Sequence, residues 1–598
     1  MADGPRKLPD WFPNVNALWG AVLAETFYRA GLRYAVISPG SRSTPLTCAL
    51  ATHPGIKSMA VLDERSSAFL ALGIAKRTGQ PALLLCTSGT AGAHYYPAII
   101  EARESNVPML VITADRPPEM RNCASGQTID QLKLFGGYPV FQAELAVPET
   151  TPSLLRYLRQ TLLHAYAKTL GPIAGPVHLN APFRDPLAPD KVGEGIALDL
   201  ATLFEVEMSA PANPEARPLG VIHWPAPLAS FLDQHGSRNG ILIVGPQTIR
   251  DEECFLRNLG ILADLMQAPL LADGLGPVRS CIDEKLHPIT AYDLILRNDT
   301  LAERLRPDYV VQIGPLPTSV ALRKKLAEWQ LPTALVSPQG ENLDPVHART
   351  TPIAWDMASH MAAIPTHALT DDAYVRDWEG VEARAAALLT DALSTRSGAD
   401  GIFEGSIIRH LAETLPQNAV MFIANSMPVR DTEYLWPRTH RGHRIYYNRG
   451  ANGIDGTIST ALGLACTGDT VWLVTGDLAF LHDTNGLLAH RQVCGRLRVL
   501  LINNSGGGIF GHLPIARHET VFEEYFATPQ TISFADLARA HGCDHFRVTS
   551  LDAAKAAITS AIASEDSSKL QIIEIITNRS ADSEWRRTTF RKLAAELV

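Results

Sequence analysis

The sequence predicts an α/β protein made of three doubly wound parallel-sheet domains in succession, and three observations predict it. Short runs rich in Val, Ile and Leu recur roughly every 25 residues. The segments between them suit helices, and the whole pattern restarts twice after connector-like stretches. Strands that are apolar on both faces and alternate with helices belong to a parallel sheet covered on both sides.

The first third carries apolar runs at 34–38, 59–63, 82–86, 109–113 and 177–180. A proline-rich stretch from about 210 to 227 then reads as a linker, because proline interrupts both helix and ladder. Runs at 241–244, 269–272, 309–313 and 334–336 repeat the pattern in the middle third. A second connector covers about 365–401 and contains a predicted helix at 373–393. Runs at 420–423, 471–475, 499–502 and 572–576 complete the last third. The expected domain bounds are 1–205, 206–375 and 376–598.

Composition narrows the function classes. At about 150 residues per domain, 598 residues make three large units or four ordinary ones. A content of 46% hydrophobic and 19% charged residues excludes wholesale disorder. Lys and Arg number 53 against 62 Asp and Glu, a net charge of -9, so a nucleic-acid partner is not expected and any basic cluster must be local. No apolar stretch approaches the ~18 residues of a transmembrane helix, and no apolar core follows the charged amino terminus as in a secretory signal. The 8 cysteines form no CxxC pair, which fits reduced thiols in a cytoplasmic protein better than disulfides or zinc.

In open parallel sheets ligands bind beyond the carboxyl ends of the strands. After the run at 471–475 comes Gly476-Asp-Leu-Ala-Phe-Leu-His-Asp483, and after the next run comes Asn503-Asn-Ser-Gly-Gly-Gly-Ile-Phe510. One helix and one strand separate them, so adjacent strand ends would bring them together. Asp477 offers a carboxylate oxygen, Asn504 an amide oxygen and Gly506 a backbone oxygen. These are hard ligands suited to Mg²⁺, which completes its shell with phosphate and water. The helix after Asp477 would point free N–H groups at a diphosphate. Read alone, each half is also an ordinary turn and cap; the pair after consecutive strands points to a site. His482 and Asp483 are read as structural. In the first domain Glu64 lies where a strand ends and an amphipathic helix begins, a position the helix dipole also favours for an acid.

Gly476-Asp477 followed by Asn503-Asn504 resembles the motif with which thiamin-diphosphate-dependent enzymes hold a divalent metal and the cofactor's diphosphate, with Leu478 in place of the motif's third glycine. Asp63-Glu64-Arg65 resembles the glutamate segment of that family's pyrimidine-binding domain, and Thr87-Ser-Gly-Thr-Ala91 its glycine turn. The resemblance is closest to the 2-succinyl-5-enolpyruvyl-6-hydroxy-3-cyclohexene-1-carboxylate synthase family and runs over nearly the whole chain. It is carried by Ser38-Pro-Gly-Ser-Arg-Ser-Thr-Pro45, Thr113-Ala-Asp-Arg-Pro-Pro-Glu119, Cys123-Ala-Ser-Gly-Gln-Thr128, Asn425-Ser-Met-Pro-Val-Arg430 and Asn448-Arg-Gly-Ala-Asn-Gly-Ile-Asp-Gly456.

The resemblance implies a pyrimidine-binding domain, a middle domain without cofactor and a diphosphate-binding domain, in that order. It implies thiamin diphosphate with Mg²⁺, or Mn²⁺ as an alternative. Glu64, Thr87, Gly89, Ile454, Gly476, Asp477, Leu478, Asn504, Gly506 and Ile509 would touch the cofactor, with Asp477, Asn504 and Gly506 on the metal. Glu64 would hydrogen-bond the aminopyrimidine, so that the cofactor removes its own C2 proton; Ile454 would hold the cofactor bent, amino group beside C2. The implied reaction decarboxylates 2-oxoglutarate and adds the succinyl semialdehyde carbanion to isochorismate. These substrates carry four carboxylates, and arginine forks suit them. Ser426, Arg430 and Arg449 resemble the residues that receive the succinyl carboxylate; Ser41, Arg42, Arg116 and Gln127 resemble the isochorismate group. Lys324 and Lys325 match a basic pair from the middle domain, their alternative being a solvated helix face. Phe510 joins Ile509 as an apolar wall, and Gly126 stands where some relatives carry an amide. A homodimer or dimer of dimers with active sites at the subunit interface is implied. Two rivals remain: a thiamin-diphosphate enzyme acting on pyruvate, of acetohydroxyacid synthase or decarboxylase type, and a non-catalytic nucleotide-binding scaffold. A Rossmann oxidoreductase is disfavoured, since no strand is followed by GxGxxG.

Overall fold

The computed structural model describes residues 9–204, 221–222, 224–249, 251–283, 285–359, 361–362, 371–396, 401–564 and 570–597. Three six-stranded sheets form its framework, as the periodic apolar runs predict. In spatial order the first sheet is Lys57–Ala60, Tyr34–Ile37, Ala82–Cys86, Met109–Asp115, Pro176–Pro182 and Phe141–Glu144, all paired in parallel. The second is Pro288–Ile289, Leu270–Ala272, Gly240–Val244, Tyr309–Ile313, Pro332–Ser337 and Arg349–Ala354, again parallel throughout. The third is Arg444–Tyr446, Val420–Ile423, Thr470–Gly476, Arg496–Asn503, Leu570–Ile576 and Asp544–Val548. In each sheet the strand order reverses beside a central strand, which leaves a crevice at the carboxyl ends. The central strands are buried along their length, Ala82–Cys86 and Met109–Asp115 at every residue, because helices cover both faces.

The apolar run at 59–63 is shifted from expectation. Its strand is Lys57–Ala60, and by Asp63 the chain has already become the cap of the next helix. The helix expected at 373–393 is Ala373–Arg396. It turns Trp378, Val381, Ala385, Leu389 and Leu393 inward at helical spacing, against Phe590 and Leu593 of the C-terminal helix Arg579–Glu596. The linker expected at about 210–227 lies mostly outside the described residues, as does part of the second connector.

The described residues fall into two compact units. One comprises those up to 204 together with 448–469 and 482–496; the other comprises the rest. The first is centred on Phe27, Leu83, Leu110, Leu158 and Leu179. In it the helix Thr457–Ala465 lies directly against Glu64–Thr78. A Cβ at Gly73 would stand 2.1 Å from the Thr460 carbonyl oxygen, and one at Gly463 2.2 Å from that of Leu70. Only two glycines allow the backbones this close, and the crossing fixes the helix that begins with Glu64. The second unit has separate cores around Val244, Leu262 and Val311 and around Ile407, Leu411 and Ile573.

Candidate active site

In the second unit, Asp477 follows the strand Thr470–Gly476 and Asn504 follows its neighbour Arg496–Asn503. The two turns meet. The Gly506 N–H donates to Asp477 Oδ2 at 2.7 Å and the Leu478 N–H to Asp477 Oδ1 at 2.9 Å. Leu478 therefore contributes through its backbone, which needs no glycine. Gly506 itself cannot be replaced: its φ is +131°, and a Cβ would stand 2.3 Å from the Ala527 carbonyl oxygen. Burial pushes the Asp477 carboxyl up to about 6, and the two N–H donors offset part of that cost.

Asn504 is buried. Its Nδ2 donates to Glu404 Oε2 at 3.3 Å, and its Oδ1 is a buried acceptor with no partner among the described residues. A free amide oxygen beside a desolvated carboxylate is the donor set a hard cation takes, so the residues present fit a divalent metal. No cluster of three or more His, Cys, Asp or Glu that could hold a metal exists among the described residues. A cation here would depend on diphosphate and water for the rest of its shell. Ile509 and Phe510 lie half-buried in the turn Gly508–His512, with Phe510 edge-on to Phe526 at 5.7 Å.

Ser426 and Arg430 also belong to this unit. Ser426 has a φ of 75° and precedes the helix Met427–Leu435; its carbonyl accepts a hydrogen bond from Arg430 NH1 at 2.6 Å. Burial lowers the Arg430 pKa, and the charge of Arg323 is among the further causes. Lys324 and Lys325 stand otherwise. Lys324 is exposed beside Glu328, while Lys325 is held by Asp299 at 2.6 Å and Glu328 at 3.1 Å. Of the basic run on Val320–Trp329, Arg323 is the residue whose charge reaches Arg430, and its guanidinium is held by the carbonyls of Pro317 and Leu316.

In the first unit Glu64 is the first residue of its helix and half-buried. Asp63 does the capping, accepting the N–H groups of Arg65 at 2.9 Å and Ser66 at 3.2 Å and a hydrogen bond from Asn485 at 2.6 Å. No described residue donates a hydrogen bond to the Glu64 carboxyl. Asp483 is fully buried and accepts from the Ser459 N–H at 2.7 Å and from the Ser459 and Ser66 hydroxyls, a structural role. His482 accepts from Arg65 through its carbonyl.

Four residues matched to isochorismate gather around the turn at 87–89. The Arg42 N–H donates to Thr87 Oγ1 at 3.3 Å, and Ser41 is exposed beside it. Arg116 donates to the Ser88 hydroxyl and to the Gln127 carbonyl at 3.1 Å; the Gln127 amide donates to the Ser88 carbonyl at 2.9 Å. Gly89, with φ +85°, would place a Cβ 2.8 Å from Gln127 Cγ. Arg42 and Arg116 each keep a buried Nε without a partner among the described residues, and burial followed by the charge of Arg42 lowers the Arg116 pKa. A guanidinium crowded by a second one offers a site for an anion. The space a side chain would occupy at Gly126 is open.

Arg449 and Ile454 lie in the loop after Arg444–Tyr446, both half-buried. Sequence reasoning missed what holds this loop: the buried carboxylate of Glu101 accepts the N–H groups of Gly450 at 3.1 Å and Ala451 at 2.7 Å, with Lys76 as its counter-ion at 3.4 Å. It also missed Gln131, whose Oε1 accepts the Gly89 N–H at 2.8 Å. An acid or amide inside a helix or loop gives no periodic signal of such a partner.

Two family models match the chain: the N-terminal TPP binding domain of thiamine pyrophosphate enzymes over residues 19–134 and their C-terminal TPP binding domain over 432–575. The structure of a benzoylformate decarboxylase from Polynucleobacter necessarius is similar in fold, with a TM-score of 0.64 at 14% identity, covering 94% of this chain and 98% of that one. Fold and matched domains together define a thiamine pyrophosphate enzyme. A 2-succinyl-5-enolpyruvyl-6-hydroxy-3-cyclohexene-1-carboxylate synthase from Gloeothece citriformis is 42% identical over 98% of this chain and 99% of its own length. One from Nostoc sp. is 44% identical over 99% of this chain and 100% of its own length. The chain belongs to the 2-succinyl-5-enolpyruvyl-6-hydroxy-3-cyclohexene-1-carboxylate synthase family.

Proposed function

We propose that the chain decarboxylates 2-oxoglutarate and joins the remaining succinyl unit to isochorismate, giving the product for which its relatives are named. Thiamin diphosphate, when bound, supplies the electron sink for decarboxylation. The chain's own residues bind, orient and move protons around it. Asp477, Asn504 and the Gly506 backbone would hold Mg²⁺ or Mn²⁺ and with it the diphosphate, and Glu64 would hold a proton at the aminopyrimidine. Thr87, Gly89 and Ile454 shape the cofactor's seat. Ser426, Arg430 and Arg449 take the succinyl carboxylate, while Ser41, Arg42, Arg116 and Gln127 take isochorismate. Lys324 and Lys325 have the weakest support, since ion pairs already engage them. The observation that carries the reading is the crowding of Arg42 and Arg116, both with a buried Nε to spare. A substrate rich in carboxylates relieves it; pyruvate does not need it.

The three sheets support domain bounds of 1–205, 206–375 and 376–598, their strands spanning 34–182, 240–354 and 420–576. The protein works as a homodimer or dimer of dimers, in which the acid of one subunit serves cofactor held by another. Eight free cysteines and the lack of any described helix long and apolar enough to cross a membrane support a cytoplasmic protein. The test is a coupled assay with 2-oxoglutarate and isochorismate, with and without thiamin diphosphate and Mg²⁺. Product is expected only with both substrates, cofactor and metal. Faster CO₂ release from pyruvate than from 2-oxoglutarate would overturn the assignment in favour of a pyruvate enzyme.

A further inference from the structure

Asn504 can serve a cation only if its amide points the right way, and a neighbouring carboxylate decides that. Glu404 opens the helix Glu404–Thr414 and is buried. Its Oε1 accepts from Arg586 NH1 at 3.2 Å and its Oε2 from Asn504 Nδ2 at 3.3 Å. Arg586 is in turn gripped by Asp431, whose Oδ1 accepts from Nε at 3.0 Å and from NH2 at 2.7 Å, with Oδ2 also accepting from NH2 at 2.7 Å. A carboxylate paired with a guanidinium through one oxygen offers lone pairs on the other. Asn504 must therefore turn its NH₂ toward Glu404, and this leaves Oδ1 as the buried, unpartnered acceptor. Were the amide reversed, an NH₂ group would face the cation and repel it.

We propose that Glu404 is a positioning residue that orients the Asn504 amide for the divalent cation, with Arg586 holding Glu404 in place. The inference rests on the metal site proposed above and adds a residue no part of the sequence motif contains. It makes a reciprocal prediction. In Glu404→Gln, Arg586 keeps the amide oxygen, so the new NH₂ faces Asn504 and turns it over. In Asn504→Asp, a carboxylate is pressed against Glu404. Each single change should weaken Mn²⁺ binding by about 10–100-fold, the usual cost of losing a residue that orients a ligand. In the double variant, the glutamine NH₂ donates to the new carboxylate, whose other oxygen faces the cation, and affinity should return to within about threefold of the parent.

The measurement is the electron paramagnetic resonance signal of free Mn²⁺, titrated into full-length protein with saturating thiamin diphosphate. Thermal midpoints are taken in parallel. Unchanged affinity in Glu404→Gln overturns the proposal, and so does a loss that Asn504→Asp fails to repair, because a merely structural Glu404 has no reason to be rescued at position 504. Absence of cofactor-dependent Mn²⁺ binding in the parent protein would instead sink the metal-site reading, and this inference with it.

Discussion

An acidic residue at the start of a helix is ordinarily spent on that helix, and the segment Asp63-Glu64 divides the labour. Burial pushes the Asp63 carboxyl up, but hydrogen bonds from Asn485 and from the N–H groups of Ser66 and Arg65 more than offset it, holding the group below its usual range. Glu64 thereby takes no part in the cap. Glu64→Gln should leave folding and cofactor binding intact while slowing CO₂ release from 2-oxoglutarate by about 10²–10⁴-fold, the usual contribution of a general acid or base. Single-turnover CO₂ release measures this, and parental rates would remove Glu64 from the reaction. The arginines make a different prediction. Arg116→Met should raise KM for isochorismate by about 10–100-fold, as expected for losing one charge-assisted hydrogen-bonded contact. Since it also relieves repulsion with Arg42, its thermal midpoint should not fall. A large loss of stability with unchanged KM would make Arg116 a structural residue.

Elements are held in register by contacts too close for any side chain. Where Glu64–Thr78 crosses Thr457–Ala465, Gly73 and Gly463 let each backbone approach the other's carbonyls. Gly73→Ala should destabilise by about 1–3 kcal/mol through overpacking. Gly463→Ala should cost a similar amount, and the double variant less than the sum, because helices once parted accommodate both methyl groups. Thermal melts of the three variants decide this; full additivity would mean that the glycines act separately. The same scale shows what the periodic reading could see. The central strands were legible because two buried faces require consecutive apolar residues, as in Ala82–Cys86. The strands it did not mark stand at sheet edges: Phe141–Glu144, Pro288–Ile289, Arg349–Ala354, Arg444–Tyr446 and Asp544–Val548. Five of the six residues in Arg349–Ala354 are exposed or half-exposed and only Ile353 is buried, so no apolar run marks it.

At the scale of the molecule, a buried ionic cluster ties the C-terminal helix to Asp431, on the helix that bears Arg430, and to Glu404, the partner of Asn504. Arg586 joins Asp431 and Glu404, and Arg396 joins Asp582 at 3.3 Å. Three carboxylates face two guanidiniums, so one negative charge is in surplus where water is scarce. Burial raises Asp582 and Asp431, each to about 7, with Glu404 adding to the rise and Arg586 opposing it. A raised carboxyl pKa stabilises the fold fully below the unfolded value near 4 and loses that contribution as pH climbs through the folded value. Metal-free protein should therefore lose thermal stability between about pH 4 and pH 7. Asp582→Asn, which removes the titrating carboxyl and keeps one of its two acceptor oxygens for Arg396 or the Glu404 N–H, should flatten that slope. Parallel melting curves across pH 5–8 would show the cluster to be uninvolved. The sequence by itself determined the three-sheet architecture and placed Glu64, Asp477 and Asn504 at strand ends, because burial on both faces and the turns that follow it are written in consecutive residues. Only the tertiary structure decided which charges the candidate residues meet: Arg116 beside Arg42, Arg323 rather than Lys324 near Arg430, and Asn504 against Glu404, 100 residues earlier. Such pairings arise when separately formed elements pack together, and local periodicity carries no record of the neighbour that packing will supply.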